Sequence, residues 1–219
     1  MYRYELSNNH YIIDINNKKY LLDTGSPFSF YINDECKSLE IDGVKYHLHN
    51  TPSNLDINET TKLVGVSVDG FIGLDIVYQT SLTIYKNGLV DFCSHDVDGN
   101  TVTLKTFPLL SFQVGFNLMS GNCIIDTGAK YGYGIKGLFY NKIPYNRVND
   151  YNPILKHLSS DVYHLDVVVG GTQKQVDICD NYLVAPTLKS VGAIMICNIT
   201  SLFDEVCVID IDKGLLTLK

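Results

Sequence analysis

The chain has 219 residues, 45% of them hydrophobic, enough for one large β domain or two small lobes around a substantial core. Its 17 Lys and Arg against 24 Asp and Glu give a formal charge of -7 with no long basic run, which excludes the electrostatic footprint of a nucleic-acid binder. No stretch approaches the roughly 18–20 apolar residues of a membrane span, and the first twenty residues lack the charged-then-apolar layout of a signal peptide, so no membrane partner and a cytoplasmic location are expected.

Short runs rich in Ile, Val, Tyr and Phe, broken by turn pairs, predict a mainly β chain. The first is YIIDINNKKYLLD (11–23), a hairpin whose arms part at Asn16 and Asn17. LEIDGVKYHLH (39–49) reads as a second hairpin, and a short helix is expected around Asp75 to Thr80. Residues 93–107 form the expected connection between lobes; within them SHDVDGN (94–100) resembles a calcium loop but lacks the acid such a loop carries at its end. FQVGFNLMSGNCIID (112–126) and YHLDVVVGGTQKQVDI (163–178) read as further hairpins, the latter turning at Gly170 and Gly171. Short helices are expected around Asn152 to Ser159 and Thr200 to Glu205.

The six cysteines (Cys36, Cys93, Cys123, Cys179, Cys197 and Cys207) show no C-x-x-C or Cys/His spacing and mostly sit in apolar runs. They read as reduced core thiols in a reducing compartment. The six histidines form no H-E-x-x-H or other ligand spacing, so neither a metal nor another cofactor is expected.

An internal repeat organises the chain. YLLDTGSPFSFYI (20–32) has a counterpart in CIIDTGAKYGYGI (123–135), and GFIGLDIVYQTSLTIYKNGLVDF (70–92) is echoed by GAIMICNITSLFDEVCVIDIDKGLLTLK (192–219). That alignment sets Ala193-Ile194-Met195 against Phe71-Ile72-Gly73 and Cys197 against Asp75. A given tripeptide is expected about 0.05 times by chance in a chain of this length. Two D-T-G copies at matching places therefore point to a duplicated unit, with lobes at 1–92 and 108–219.

An ionised Asp at the end of an apolar strand has to be paired, hydrogen-bonded or protonated. Asp23-Thr24-Gly25-Ser26 and Asp126-Thr127-Gly128-Ala129, each after a hydrophobic pair, together with Phe71 to Asp75, resemble the motifs of aspartic peptidases of the pepsin and retropepsin type. The resemblance implies an all-β, bilobal acid-protease fold with short helices, its two D-T-G loops meeting at a pseudo-twofold axis. It further implies a monomer that cleaves a peptide or protein substrate between its lobes. Two carboxylates about 3 Å apart repel by roughly 5 kcal/mol at an effective dielectric near 20, so Asp23 and Asp126 would share one proton and activate a bridging water.

In that family the threonine hydroxyls, here Thr24 and Thr127, bond across the axis. Gly25 and Gly128 would let the backbone approach the acids, and Ser26 could donate to Asp23 where Ala129 offers Asp126 nothing comparable. Candidate flap residues are Gly170 and Gly171 in the second lobe and Tyr46 in the first. Two alternatives stay open at this point: a catalytically silent relative that binds peptides or protein partners, motivated by Met195 and the short first-half flap, and an unrelated all-β interaction module.

Overall fold

A computed structural model describes residues 1–117, 119–152 and 155–219. The first half contains β1 (Tyr2–Ser7), β2 (His10–Ile15), β3 (Lys18–Leu22), β4 (Phe30–Tyr31), β5 (Ser38–Ile41), β6 (Val44–His47), β7 (His49–Asn50), α1 (Ile57–Val64), β8 (Gly70–Ile72), α2 (Leu74–Thr80), β9 (Leu82–Tyr85) and β10 (Leu89–Asp91). The second contains β11 (Asn100–Lys105), β12 (Ser111–Phe116), β13 (Met119–Ile125), β14 (Gly132–Gly134), β15 (Asn146–Asn152), β16 (Lys156–Val169), β17 (Thr172–Asp180), α3 (Ala185–Ser190), β18 (Ala193–Cys197), β19 (Val206–Asp210) and β20 (Leu215–Leu218). The fold is all-β with a few short helices. No helix among the described residues is long and apolar enough to cross a membrane.

Local turn chemistry sets the hairpins. Asn16 and Asn17 both take positive φ (53° and 62°), as do Asp42 and Gly43 (50° and 82°) and Gly170 and Gly171 (53° and 87°). That handedness matches the twist of the flanking strands, and Asn, Asp and Gly reach it at least cost. The pairings β2–β3, β5–β6 and β16–β17 follow, and β12 pairs with β13 as expected.

Each D-T-G follows a hairpin arm with the same surroundings. β3 pairs in parallel with β8, and β8 pairs antiparallel with β4. In the second half β13 pairs in parallel with β18, which pairs antiparallel with β14. The alternation of strand side chains carries through to packing. Leu22 and Ile125 enter one core cluster together with Ile13, Leu82, Phe112, Cys207 and Ile209. Their neighbours Leu21 and Ile124 point the other way, into separate clusters with Phe30 and Tyr133 respectively.

The halves are joined by an antiparallel ribbon in the order β1-β10-β9-β19-β20-β11, with β9 against β19 at its centre. Residues 100–105, inside the expected connection, thus contribute the strand β11.

Two local expectations are corrected. The helix expected around Asn152 to Ser159 is strand: β15 and β16 pair from Asn146↔Val162 to Asn152↔Lys156, and Leu158, Ser160 and Val162 alternate into the interior. Residues 153 and 154 of that stretch lie outside the described set. Around Thr200 to Glu205 only a 3-10 turn forms, Ile199–Ser201, capped by Asn198. The helix at Asp75 to Thr80 is present, and α1 and α3 are additional.

Candidate active site

The carboxyls of Asp23 and Asp126 lie within side-chain hydrogen-bonding reach of each other. Each is only partly exposed, at the end of its strand. The loops also grip each other. The Thr24 amide donates to Thr127 Oγ1 and the Thr127 amide to Thr24 Oγ1, both at 3.0 Å. Each hydroxyl then donates back across the axis, Thr24 Oγ1 to the Ile125 carbonyl (2.9 Å) and Thr127 Oγ1 to the Leu22 carbonyl (2.8 Å). Both threonines are fully buried, so the four bonds satisfy groups that have no access to water.

Backbone contact is equally close. A Cβ on Gly25 would fall 2.4 Å from Asp126 Oδ2, and one on Gly128 would fall 2.4 Å from Asp23 Cγ. Only glycine at both positions lets each carboxylate pack on the opposite loop. Asp23 Oδ1 accepts the amides of Gly25 and Ser26, both at 3.0 Å. Asp126 Oδ1 accepts that of Gly128, also at 3.0 Å.

Burial pushes the Asp23 carboxyl above the ordinary carboxylate range, opposed by its amide donors. Burial also raises Asp126, and the charge of Asp23 raises it further. Removing the solvent and placing a like charge beside an acid both disfavour its ionised form, so the pair retains a proton where isolated aspartates have lost theirs.

The loops are supported from beneath in matching ways. The Asp23 amide donates to the Ile72 carbonyl at 2.9 Å and the Asp126 amide to the Cys197 carbonyl at 3.0 Å. The pairings Leu22↔Ile72 and Ile125↔Cys197 therefore correspond. This corrects the alignment made from sequence: the counterpart of Phe71-Ile72-Gly73 is Ile196-Cys197-Asn198, not Ala193-Ile194-Met195. The displacement is three residues; a register shift at Asn122/Cys123, where β18 carries one extra residue, Ile194, supplies one of them. Met195 is 1% exposed in the core, two residues before Cys197 and away from the position matching Gly73.

Where Gly73 leaves no room for a side chain beneath Ser26 and Phe28, Asn198 uses its own. Its Nδ2 donates to the carbonyls of Ala129 (2.9 Å) and Asn9 (2.8 Å), tying the second loop to the first half. In the first half Asp75 Oδ1 accepts both the amide and the hydroxyl of Ser29, and Ser29 Oγ accepts the Gly73 amide.

Other expected site residues fall elsewhere. Ser26 Oγ donates to the Phe28 carbonyl (2.8 Å), so its hydroxyl is turned from Asp23 and only its amide serves the acid. Tyr46 is partly buried on β6, in a hairpin folded onto the body: Leu39 and Ile41 enter the core, and the tip residue Asp42 exchanges two hydrogen bonds with the Tyr2 hydroxyl. The Gly170–Gly171 turn rests against Asn100 of β11, because Val167 and Val169 anchor its arm in the core and β12 pairs with it at Gly115↔Val168. The second-half hairpin that reaches the first half is instead β15–β16, where Lys156 Nζ donates to the Asn54 carbonyl at 3.0 Å.

No family model matches the sequence, and no curated protein matches it. Among solved structures, the simian foamy virus (mac) protease, known in solution, aligns with 42% of this chain and 90% of its own at 13% identity, with a TM-score of 0.33.

Proposed function

We propose that the chain is an aspartic endopeptidase of two lobes, 1–92 and 108–219, that hydrolyses peptide bonds with Asp23 and Asp126. One observation carries this reading: two partly buried acids from opposite halves lie beside each other, each against the other's D-T-G glycine, while their threonines bond reciprocally beneath them. A fold spends buried like charge only where the charge is used, since an apolar or amide pair would cost less.

The chemistry follows from the shared proton. A water between the carboxyls gives its proton to the ionised acid as its oxygen attacks the peptide carbonyl carbon. The protonated acid gives its proton to the carbonyl oxygen, so a neutral tetrahedral diol forms. The C–N bond then breaks as the amine nitrogen takes a proton from the acid that collected it, and the diol returns its other proton to the dyad. Amides serve both acids, and the charge of Asp23 raises Asp126 further, which makes Asp23 the base and Asp126 the acid. The substrate is a peptide or protein segment lying between the lobes; no cofactor enters any step, and the active species is a monomer. A cytoplasmic setting suits six free cysteines.

Met195, one of the two features that favour a silent, peptide-binding relative, lies in the core, which leaves the short first-half flap as the motive for that reading. The test is digestion of a diverse peptide mixture from about pH 3 to 8, with and without a statine-type transition-state mimic. Cleavage that the mimic blocks is expected. Its alkaline limb should lie above the ordinary Asp value of about 3.9, because burial and mutual repulsion raise the pair. Absence of cleavage throughout that range would leave peptide binding without hydrolysis.

A further inference from the structure

The segment leaving β10 brings three metal-ligating side chains together: one donor atom from each of Asp91, Cys93 and His95 lies within 4.8 Å of the other two. His95 Nε2 is 2.8 Å from Asp91 Oδ2 and 3.2 Å from Cys93 Sγ. A catalytic relay through histidine uses its two ring nitrogens for different partners. Here thiol and carboxylate meet the same nitrogen, so the three donors surround a common point, as ligands around an ion do.

We propose that Asp91, Cys93 and His95 bind a zinc-class divalent cation through Oδ2, Sγ and Nε2, with water in the fourth position. Around a tetrahedral ion with bonds of about 2.0–2.3 Å, donors stand roughly 3.3–3.7 Å apart, so small side-chain rotations admit the metal. The thiol proton leaves to solvent on binding; thiolate and carboxylate then balance the divalent charge. Imidazole with thiolate selects a borderline metal over calcium or magnesium. The neighbouring SHDVDGN acids do not compete, since Asp96 is held by Lys213 Nζ at 2.7 Å. Ligands at alternate positions escape motif rules built on C-x-x-C or H-x-x-x-H; here the chain bends at Phe92 and Cys93, directly after β10, and the three side chains meet. The loop is already held by Thr83 Oγ1, which donates to the Cys93 carbonyl at 2.7 Å. A bound ion would fasten the connection between the halves to the end of β10.

The experiment is a cobalt(II) titration of the chelator-treated full chain, followed by zinc competition and thermal unfolding. Five cysteines are buried and Cys93 alone is partly exposed, so a thiolate signature reports on it. Expected are one equivalent of Co2+ with tetrahedral visible bands and a thiolate-to-cobalt charge-transfer band. Zinc should displace it and raise the melting temperature by about 5–10 °C at a hundredfold excess over Kd. Cys93→Ser, a near-isosteric exchange, should lose the charge-transfer band and the thermal shift, and His95→Ala should weaken binding by at least about tenfold. No charge-transfer band in the parent protein, or a band and shift that persist in Cys93→Ser, would overturn the assignment.

Discussion

Asp126→Asn is expected to lower peptide hydrolysis by at least about 10^3-fold while making the protein more stable at neutral and alkaline pH. The loss arises because Asn neither donates the proton that the carbonyl oxygen needs nor takes back the one the diol releases. The gain arises from linkage. The folded Asp126 carboxyl sits above its unfolded value through burial and the charge of Asp23. Below the unfolded value of about 3.9 both states hold the proton, and the substitution leaves stability nearly unchanged. As pH rises from there through the folded value, the unfolded chain releases a proton that the folded chain retains, so the parent loses stability and the amide variant does not. Chemical denaturation at pH 4 and pH 8 should show the variant's advantage growing to roughly 1–3 kcal/mol. An inactive variant without that pH-dependent gain would mean that Asp126 is not held against a like charge.

Thr24→Val is expected to destabilise the fold by about 2–5 kcal/mol and to reduce cleavage with it. The methyl replaces a hydroxyl that accepts the Thr127 amide and donates to the Ile125 carbonyl. Both groups then stay buried without a partner, at about 1–3 kcal/mol each. Thr24→Ser keeps the hydroxyl and should recover most of the loss. Thr127→Val removes the mirrored pair of bonds. The double variant should lose less than the sum of the singles, because either one already opens the shared network. Urea unfolding of the four proteins gives the coupling directly; strict additivity would mean that the two hydroxyls act independently.

What could be read from the sequence is what local chemistry decides. Asn16-Asn17, Asp42-Gly43 and Gly170-Gly171 announce their hairpins because positive φ is a property of those residues themselves. The paired D-T-G loops are visible because the same tripeptide follows an apolar pair in each half. Helix α1 is not among the elements expected from sequence, because the hydrophobic pattern passes over it; its signals are its ends, with Asp56 capping the amides of Asn58 and Glu59 and Gly65 ending it at φ 87°.

Long-range pairing decided the rest. The strand under the second D-T-G is displaced by three residues from the stretch expected, so that Asp126 bonds to Cys197, and the extra residue at Ile194 is a bulge that no local pattern marks. Pairing with β15 made residues 156–159, expected in a helix, part of a strand. The role of Gly170–Gly171 depended on Asn100, a residue seventy positions away that no local pattern connects to it. Ser26 illustrates a third kind of miss: its hydroxyl had two acceptors within reach, and the Phe28 carbonyl took it.

The most direct test of the shared proton is a pH titration of carboxyl 13C resonances in Asp-labelled protein, assigned with Asp23→Asn and Asp126→Asn. The account predicts two signals that titrate together, one carboxyl remaining protonated well above pH 4, and the loss of that behaviour when either partner becomes an amide. Two independent signals, each titrating near about pH 3.9 and each indifferent to the other's substitution, would contradict it.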